Sequence, residues 1–394
     1  MSGCSLAALI VATLLSGPPA AAADTAHPFR YPEAKYGHGE LKYVNGLPVL
    51  TVEGTPDEIG EAVGALAVRP APQMAAYPED LVAHFHLQLL WGAFVHAGRK
   101  MVQHFPLDYR DELEAIARAS GADRDRLVLG NTLFDLKKIL ACSALLVEPA
   151  RSATGQPLLG RNLDYPSLGY AHEYSLVTVY RPAGAKHAFA SIGFPGLVGC
   201  LSGINDAGLS LAVLEVFQVK AGRKRFDSSG MPYALCYRRI LEECATIGEA
   251  RELLEQMPRV TITNLALADC EGVAVFEVTP RCVRVRRPQR GTCVCTNHFC
   301  TEGLAPFVPL DVFNTFDRYE ILEKAALARG KLSLVDLHRS LDAARQQEET
   351  MQTMIFEPAA LRVHLAVGTC PSSAGPMKPL ELAPLFGTRN AGHN

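Results

Sequence analysis

After residue 23 no apolar run is long enough to cross a bilayer, so the sequence offers no membrane-spanning helix there. Nor is there a basic excess. The 38 Lys and Arg stand against 41 Asp and Glu, and a net charge of -3 gives nucleic acid no field to bind. Zinc-finger spacing and a P-loop are both missing. Gly37-His38-Gly39 follows no clear strand and carries no nucleotide reading. Internal repeats and low-complexity linkers are absent as well, which removes solenoids and arrays. One further absence shapes the chemistry: no histidine lies close in sequence to Cys142, the residue on which the argument turns.

What is there is ordinary globular material. The chain has 394 residues, 48% hydrophobic and 20% charged, ample for a sizeable core. Residues 1–23 hold an apolar stretch at 6–15, then Pro18-Pro19 and four alanines that give an Ala-x-Ala site before Asp24. This reads as a signal peptide, although its start lacks Lys and Arg, and it implies export to the periplasm or outside the cell. Of eleven cysteines, Cys4 lies in that leader. Export permits disulfides among the other ten, but pairing is not legible from sequence. A catalytic Cys142 would have to stay free.

The texture divides at residue 142. Ahead of it, 44–56 reads as a hairpin around Asn45-Gly46, and 56–140 is mostly helical. The stripe Tyr109, Leu113, Ile116, Ala117 ends at Gly121. Beyond it, short strand-like runs cover 142–148, 157–164, 174–181, 188–194, 199–205 and 208–217. Helices are predicted at 232–246 and 248–257, strands at 261–268, 273–279, 281–287 and 292–297, helices at 314–329 and 333–347, and a hairpin at 352–367. Strand runs and helix pairs segregated in this way indicate an α+β fold. The expected organisation is a leader at 1–23, an α-rich segment at 24–141 and a catalytic segment at 142–394.

The strands 142–148 and 157–164 flank a turn near Ala153-Thr154-Gly155. A turn centred at 153 to 154 sets Cys142 opposite residues 164 to 167, so Arg161 and Asp164 of "GRNLDYP" return beside it. A thiol attacks as its thiolate, and a guanidinium favours the thiolate by Coulomb attraction. A carboxylate does not; it orients an ammonium or the arginine. With no histidine to act as base, a cut between Ala141 and Cys142 supplies one. The freed α-amine has a pKa of about 7.7–8.0, suited to a general base near neutral pH.

With these residues in view, the chain resembles the cysteine N-terminal-nucleophile hydrolases, in the branch of penicillin acyltransferase, choloylglycine hydrolase and acid ceramidase. Cys142-Ser143 opening a strand, "GRNLDYP", "GINDAGLSLAV" (203–213) and "CTNHF" (295–299) carry the resemblance. "GTPDEIGEAVGAL" (54–66) and "NTFDRYEIL" (314–322) extend it. The resemblance implies a four-layer αββα sandwich of antiparallel sheets. It also implies Cys142 as nucleophile, Arg161 and Asp164 as its orienting pair, Asn297 as an oxyanion-hole amide and Arg318 as a second arginine. One departure stands out. Where choloylglycine hydrolases have Asn after the Gly-Leu turn, this chain has Glu215. A carboxylate donates no hydrogen bond unless protonated, so Asn264 or backbone N–H groups become candidates for that half of the hole. Asn205 reads first as a turn residue.

The activity implied is self-processing at Ala141–Cys142, then cleavage of a linear amide in a small N-acyl substrate, with no cofactor. An acyltransferase sharing the same acyl-enzyme is the near alternative, and an inactive secreted binding protein the distant one. A papain-like protease would need a Cys–His pair that the sequence does not show. Cys293-x-Cys295-x-x-His298-x-Cys300 matches no standard zinc module, and no metal is expected. Trp91, His84 and His86 read as structural or as pocket lining rather than catalytic. Neither nucleic acid nor stable membrane insertion is expected, and oligomeric state is left open.

Overall fold

A computed structural model describes residues 28–387. The chain opens on β1 (Ala34–Tyr36), β2 (Gly39–Val44) and β3 (Leu47–Gly54). Asn45 and Gly46 join β2 to β3 with φ of 50° and 72°, the paired left-handed conformation of a type I′ turn. Five helices follow: α1 (Pro56–Val63), α2 (Pro72–His84), α3 (Trp91–Val102), α4 (Leu107–Ser120) and α5 (Arg124–Leu136). Thr55 caps α1 in a reciprocal box with Glu58, and Gly121 closes α4 at φ 73°.

Then come β4 (Ala141–Val147), β5 (Leu158–Asp164), β6 (Leu176–Pro182), β7 (Phe189–Gly193), β8 (Ser202–Asn205) and β9 (Ser210–Glu215). After α6 (Tyr233–Glu243) and α7 (Ile247–Gln256) the chain returns as β10 (Thr263–Ala268), β11 (Val273–Thr279), β12 (Cys282–Arg286) and β13 (Thr292–Cys295). Helices α8 (Thr315–Leu327) and α9 (Leu334–Ala343) precede β14 (Thr350–Glu357), β15 (Arg362–Ala366), β16 (Lys378–Glu381) and the short α10 (Ala383–Phe386).

Two sheets form. One runs β1-β2-β3-β6-β7-β8-β9-β10-β11-β12, the other β13-β4-β5-β14-β15-β16. Strand alternation assigns the faces. In β4, Cys142, Ala144 and Leu146 join the core between the sheets, while Leu145 and Val147 join a second cluster with Leu322 of α8 and Leu337 and Leu341 of α9. Helices α6 and α7 cover the other sheet, with Leu235, Ile240 and Leu254 buried in the main core. The layering is therefore helix, sheet, sheet, helix, and the fold is α+β.

Two expectations need correction. The sheets are not purely antiparallel, because β3 pairs with β6 in parallel, Val49 beside Val177. The chain reaches β6 only after β4 and β5, a long crossover that local turn signals do not reveal. The hairpin expected around Asn45-Gly46 is β2–β3, and with β1 it extends the larger sheet. Finally, the β4–β5 register sets Cys142 opposite Leu163 and Ala141 opposite Asp164, one step short of the expected range. Ser152 bridges Leu332, anchoring the connection so that the hairpin turns about a residue early.

Candidate active site

Cys142 is fully buried, on the inward face at the start of β4. Arg161 pairs with Ala144 across the hairpin, so its side chain shares that face one step along. Its Nη2 donates to Cys142 Sγ at 3.2 Å, and its Nη1 donates to Leu201 C=O at 2.8 Å and to Ser202 Oγ. Burial pushes the Cys142 thiol up, Arg161 pulls it down, and Asp164 pushes it up again.

Asp164 closes β5 opposite Ala141. Thr350 Oγ1 donates to its Oδ1 at 2.5 Å, whereas Oδ2 is buried without a hydrogen bond and lies 3.9 Å from Arg318 Nη1. Burial raises this carboxyl to about 6, and Arg318 opposes the shift. Arg318 projects from the first turn of α8. Its Nη1 donates to Cys142 C=O and to Ser143 Oγ (2.9 Å), its Nη2 to Asn297 Oδ1 (2.7 Å), and its Nε to Phe313 C=O (3.0 Å).

Asn297 spans the Ala141–Cys142 peptide bond. Its Oδ1 accepts Cys142 N–H at 2.8 Å; its Nδ2 donates to Leu140 C=O at 3.0 Å and to Glu215 C=O at 2.8 Å. Thr315 Oγ1 fixes it from behind by accepting Asn297 N–H at 2.9 Å. The Glu215 carboxyl accepts Ile139 and Leu140 N–H, both at 2.8 Å, and the Tyr233 hydroxyl at 3.0 Å. Burial raises its pKa, with Lys138 opposing. Ala141 is thus held between Glu215 and Asn297 on one side and Asp164 on the other.

The structure therefore gathers Cys142, Arg161, Asp164, Asn297, Arg318 and the Glu215 carboxyl around one peptide bond. Two candidates stand apart. Asn205 gives Nδ2 to Leu241 and Cys244 C=O and accepts Ala207 and Leu209 N–H, the work of a turn. Asn264 gives Nδ2 to Thr296 and His298 C=O, which shapes the strand end that carries Asn297 rather than reaching the thiol itself. His298 donates or accepts against Thr296 and Thr315 hydroxyls, stacks near Phe316, and is held neutral down to about 4 by burial. All ten cysteines among the described residues are free thiols. Four partners escaped sequence reasoning: Ser202, Tyr233, Thr315 and Thr350. Each arrives from a distant strand or helix, and only Ser143, adjacent to Cys142, had a local signal.

The sequence model of one family, described as Acyl-coenzyme A:6-aminopenicillanic acid acyl-transferase, matches residues 151–370, more than half of the chain. The chain belongs to this family. It is thereby an enzyme of the penicillin-acyltransferase family. The matched region holds Arg161, Asp164, Glu215, Asn297 and Arg318, and Cys142 lies just ahead of it. Comparison with curated protein sequences gives no match. Among solved structures, the chain is similar to a Caenorhabditis elegans N-acylethanolamine-hydrolyzing acid amidase ortholog, at 16% identity over 55% of this chain and 93% of that one, TM-score 0.43. A mutant conjugated bile acid hydrolase from Clostridium perfringens is similar at 15% identity over 63% and 95%, TM-score 0.43. Penicillin V acylase from Agrobacterium tumefaciens is similar at 15% over 57% and 83%, TM-score 0.40. No helix of the described residues is long and apolar enough to cross a membrane.

Proposed function

We propose that the chain cuts itself between Ala141 and Cys142 and then cleaves the amide bond of a small N-acyl compound through a Cys142 thioester. The observation that carries this reading is the Arg161 N–H donated to Cys142 Sγ, beside a peptide bond gripped on both flanks. In the first reaction the sulfur attacks the Ala141 carbonyl carbon. The C–N bond breaks, its nitrogen takes the thiol proton, and the acyl group rests on sulfur as a thioester. Water then hydrolyses that thioester, releasing the Ala141 carboxylate and leaving Cys142 with a free thiol and a free amine.

In turnover the amine removes the thiol proton and the thiolate attacks the substrate carbonyl. Arg161 favours the thiolate, while Asp164 and Arg318 orient the new amine. Once the peptide bond is gone, Asn297 Nδ2 becomes available to the oxyanion; one such donor contributes about 2.7–4 kcal/mol to lowering a barrier. Glu215, its pKa raised by burial, supplies a second donor only in its protonated form. The amine returns its proton to the leaving nitrogen, and water completes hydrolysis. The family's name favours a second outcome from the same thioester, in which an amine acceptor takes the acyl group in place of water. Residues 1–23 are proposed to direct export; they lie outside the described residues.

The test is intact-mass analysis of the protein quenched during turnover of a panel of N-acyl amides. The expected result is one acyl mass added on the peptide that begins with Cys142, absent in Cys142→Ala. Product analysis with and without a primary amine separates hydrolysis from transfer. Turnover with no acylated Cys142 at any quench time, and with Cys142→Ala active, overturns the reading.

A further inference from the structure

Three exposed apolar side chains fall together on the connection that leads into α8. Phe307, Val308 and Leu310 are 84%, 77% and 56% exposed. The segment beneath them is braced. The Gln218 side-chain amide donates to Val308 C=O at 3.2 Å and accepts Leu310 N–H at 3.0 Å. Lys220 N–H donates to Leu304 C=O at 2.8 Å, and Lys220 Nζ reaches Glu302 C=O at 3.3 Å while lying 4.5 Å over the Phe307 ring. Apolar groups fixed outward in this way stay hydrated until something covers them.

The bracing segment also carries charge. Lys220, Arg223, Lys224 and Arg225 fall within six residues, followed by exposed Phe226. Glu302 is the one carboxylate within the two segments, and Asp227 and Asp311 border them. Asp227 is already paired, with Lys224 at 2.6 Å and Arg281 at 3.2 Å, and Asp311 accepts Phe316 N–H. Arg223 and Arg225 are exposed, in the segment that Lys220 ties to the apolar tip. Aliphatic and aromatic side chains that enter the acyl boundary, with guanidinium groups at headgroup level, are the pairing that an anionic bilayer surface takes up.

We propose that residues 217–226 and 302–310 form a peripheral docking surface for an anionic lipid bilayer. The surface lies close to the candidate active site. Phe217 packs on Phe313 at 5.5 Å between ring centres, and Phe313 C=O holds Arg318, which in turn holds Cys142 C=O. Delivery of a lipid-borne acyl amide to Cys142 rests on the functional reading above; the docking itself does not.

Flotation of the full chain with phosphatidylcholine vesicles, with and without phosphatidylserine, tests this. Cys142→Ala protein is run in parallel, so that a failure of the catalytic reading leaves the docking test intact. The wild type should float with the phosphatidylserine vesicles and release at raised salt. Each cation near an anionic surface strengthens binding about fivefold, so Arg223→Gln/Arg225→Gln should weaken it roughly twenty-five-fold. Phe307→Asp/Val308→Asp should abolish it, with the denaturant midpoint of both variants unchanged. Equal binding to neutral and anionic vesicles, no binding at low salt, or variants that float like wild type would overturn the proposal. So would a wild-type dimer in light scattering that Phe307→Asp/Val308→Asp dissolves, since the tip would then bind a second copy.

Discussion

Buried thiols lie near an arginine both at the start of β4 and at the edge strand β13, and the two places differ in what the arginine does. At the start of β4, Arg161 Nη2 points at Cys142 Sγ from 3.2 Å. At the edge strand β13, Cys293 and Cys295 lie near Arg286, whose Nη2 is taken by Val294 C=O at 3.1 Å and the Tyr319 hydroxyl at 3.2 Å. Cys295 Sγ donates instead to Thr296 C=O. Burial drives both thiols up, Cys295 well above its ordinary value. Proximity of charge is common to both sites. A donor aimed at the sulfur, a second arginine on the adjacent carbonyl and a carboxyl opposite the preceding residue belong to Cys142 alone.

The sharpest way to break the comparison is at Asn297, which has no counterpart beside Cys295. Asn297→Ala should lower kcat by about 10²–10³ with KM little changed, measured by steady-state kinetics on processed enzyme. The same change in Cys293 or Cys295 neighbours, such as Tyr319→Phe, should leave kcat intact. Arg161 is next. Arg161→Leu removes the donor on sulfur, so the pH profile of iodoacetamide labelling at Cys142 should move up by about one to three units, with partial recovery in Arg161→Lys. An unmoved profile would make Arg161 a purely structural partner of Leu201 and Ser202.

A smaller effect concerns the carboxyls. Burial raises Asp164 to about 6 and Asp135 to about 7 from an ordinary 3.8, the latter against the opposing charge of Lys138. The folded chain therefore keeps protons that the unfolded chain has already released. Their contribution to stability is complete below pH 3.8 and is lost as pH rises through about 6 and then about 7. In uncut Cys142→Ala protein the urea midpoint should fall across that window, and Asp135→Asn should flatten its upper part. A midpoint that rises from about pH 5 to about pH 8 would contradict the assignment. Smallest of all, Cys295→Ala should cost about 1 kcal/mol of stability by removing one buried atom and leave turnover unchanged.

Much of this was legible beforehand, and the reason is local. The β4–β5 hairpin, the Asn45-Gly46 turn and the helix stop at Gly121 are set by neighbours in sequence, so periodicity and turn chemistry find them. Asn297 and Arg318 came from resemblance rather than spacing. Thr350, Ser202 and Tyr233 were not legible, because each meets its partner across a sheet or between layers, where sequence distance says nothing. The β3–β6 parallel pair and the one-step register shift have the same origin: long-range packing fixes them. Glu215 was legible as a departure, but its grip on Ile139 and Leu140 N–H was not.

The central claim is that one residue carries both the attacking sulfur and its base. N-terminal sequencing of purified wild-type protein tests it most directly. The expected result is a new terminus reading Cys142-Ser143-Ala144, with Cys142→Ala remaining a single chain. Wild-type protein that turns over an N-acyl amide while its Ala141–Cys142 bond stays intact would contradict it.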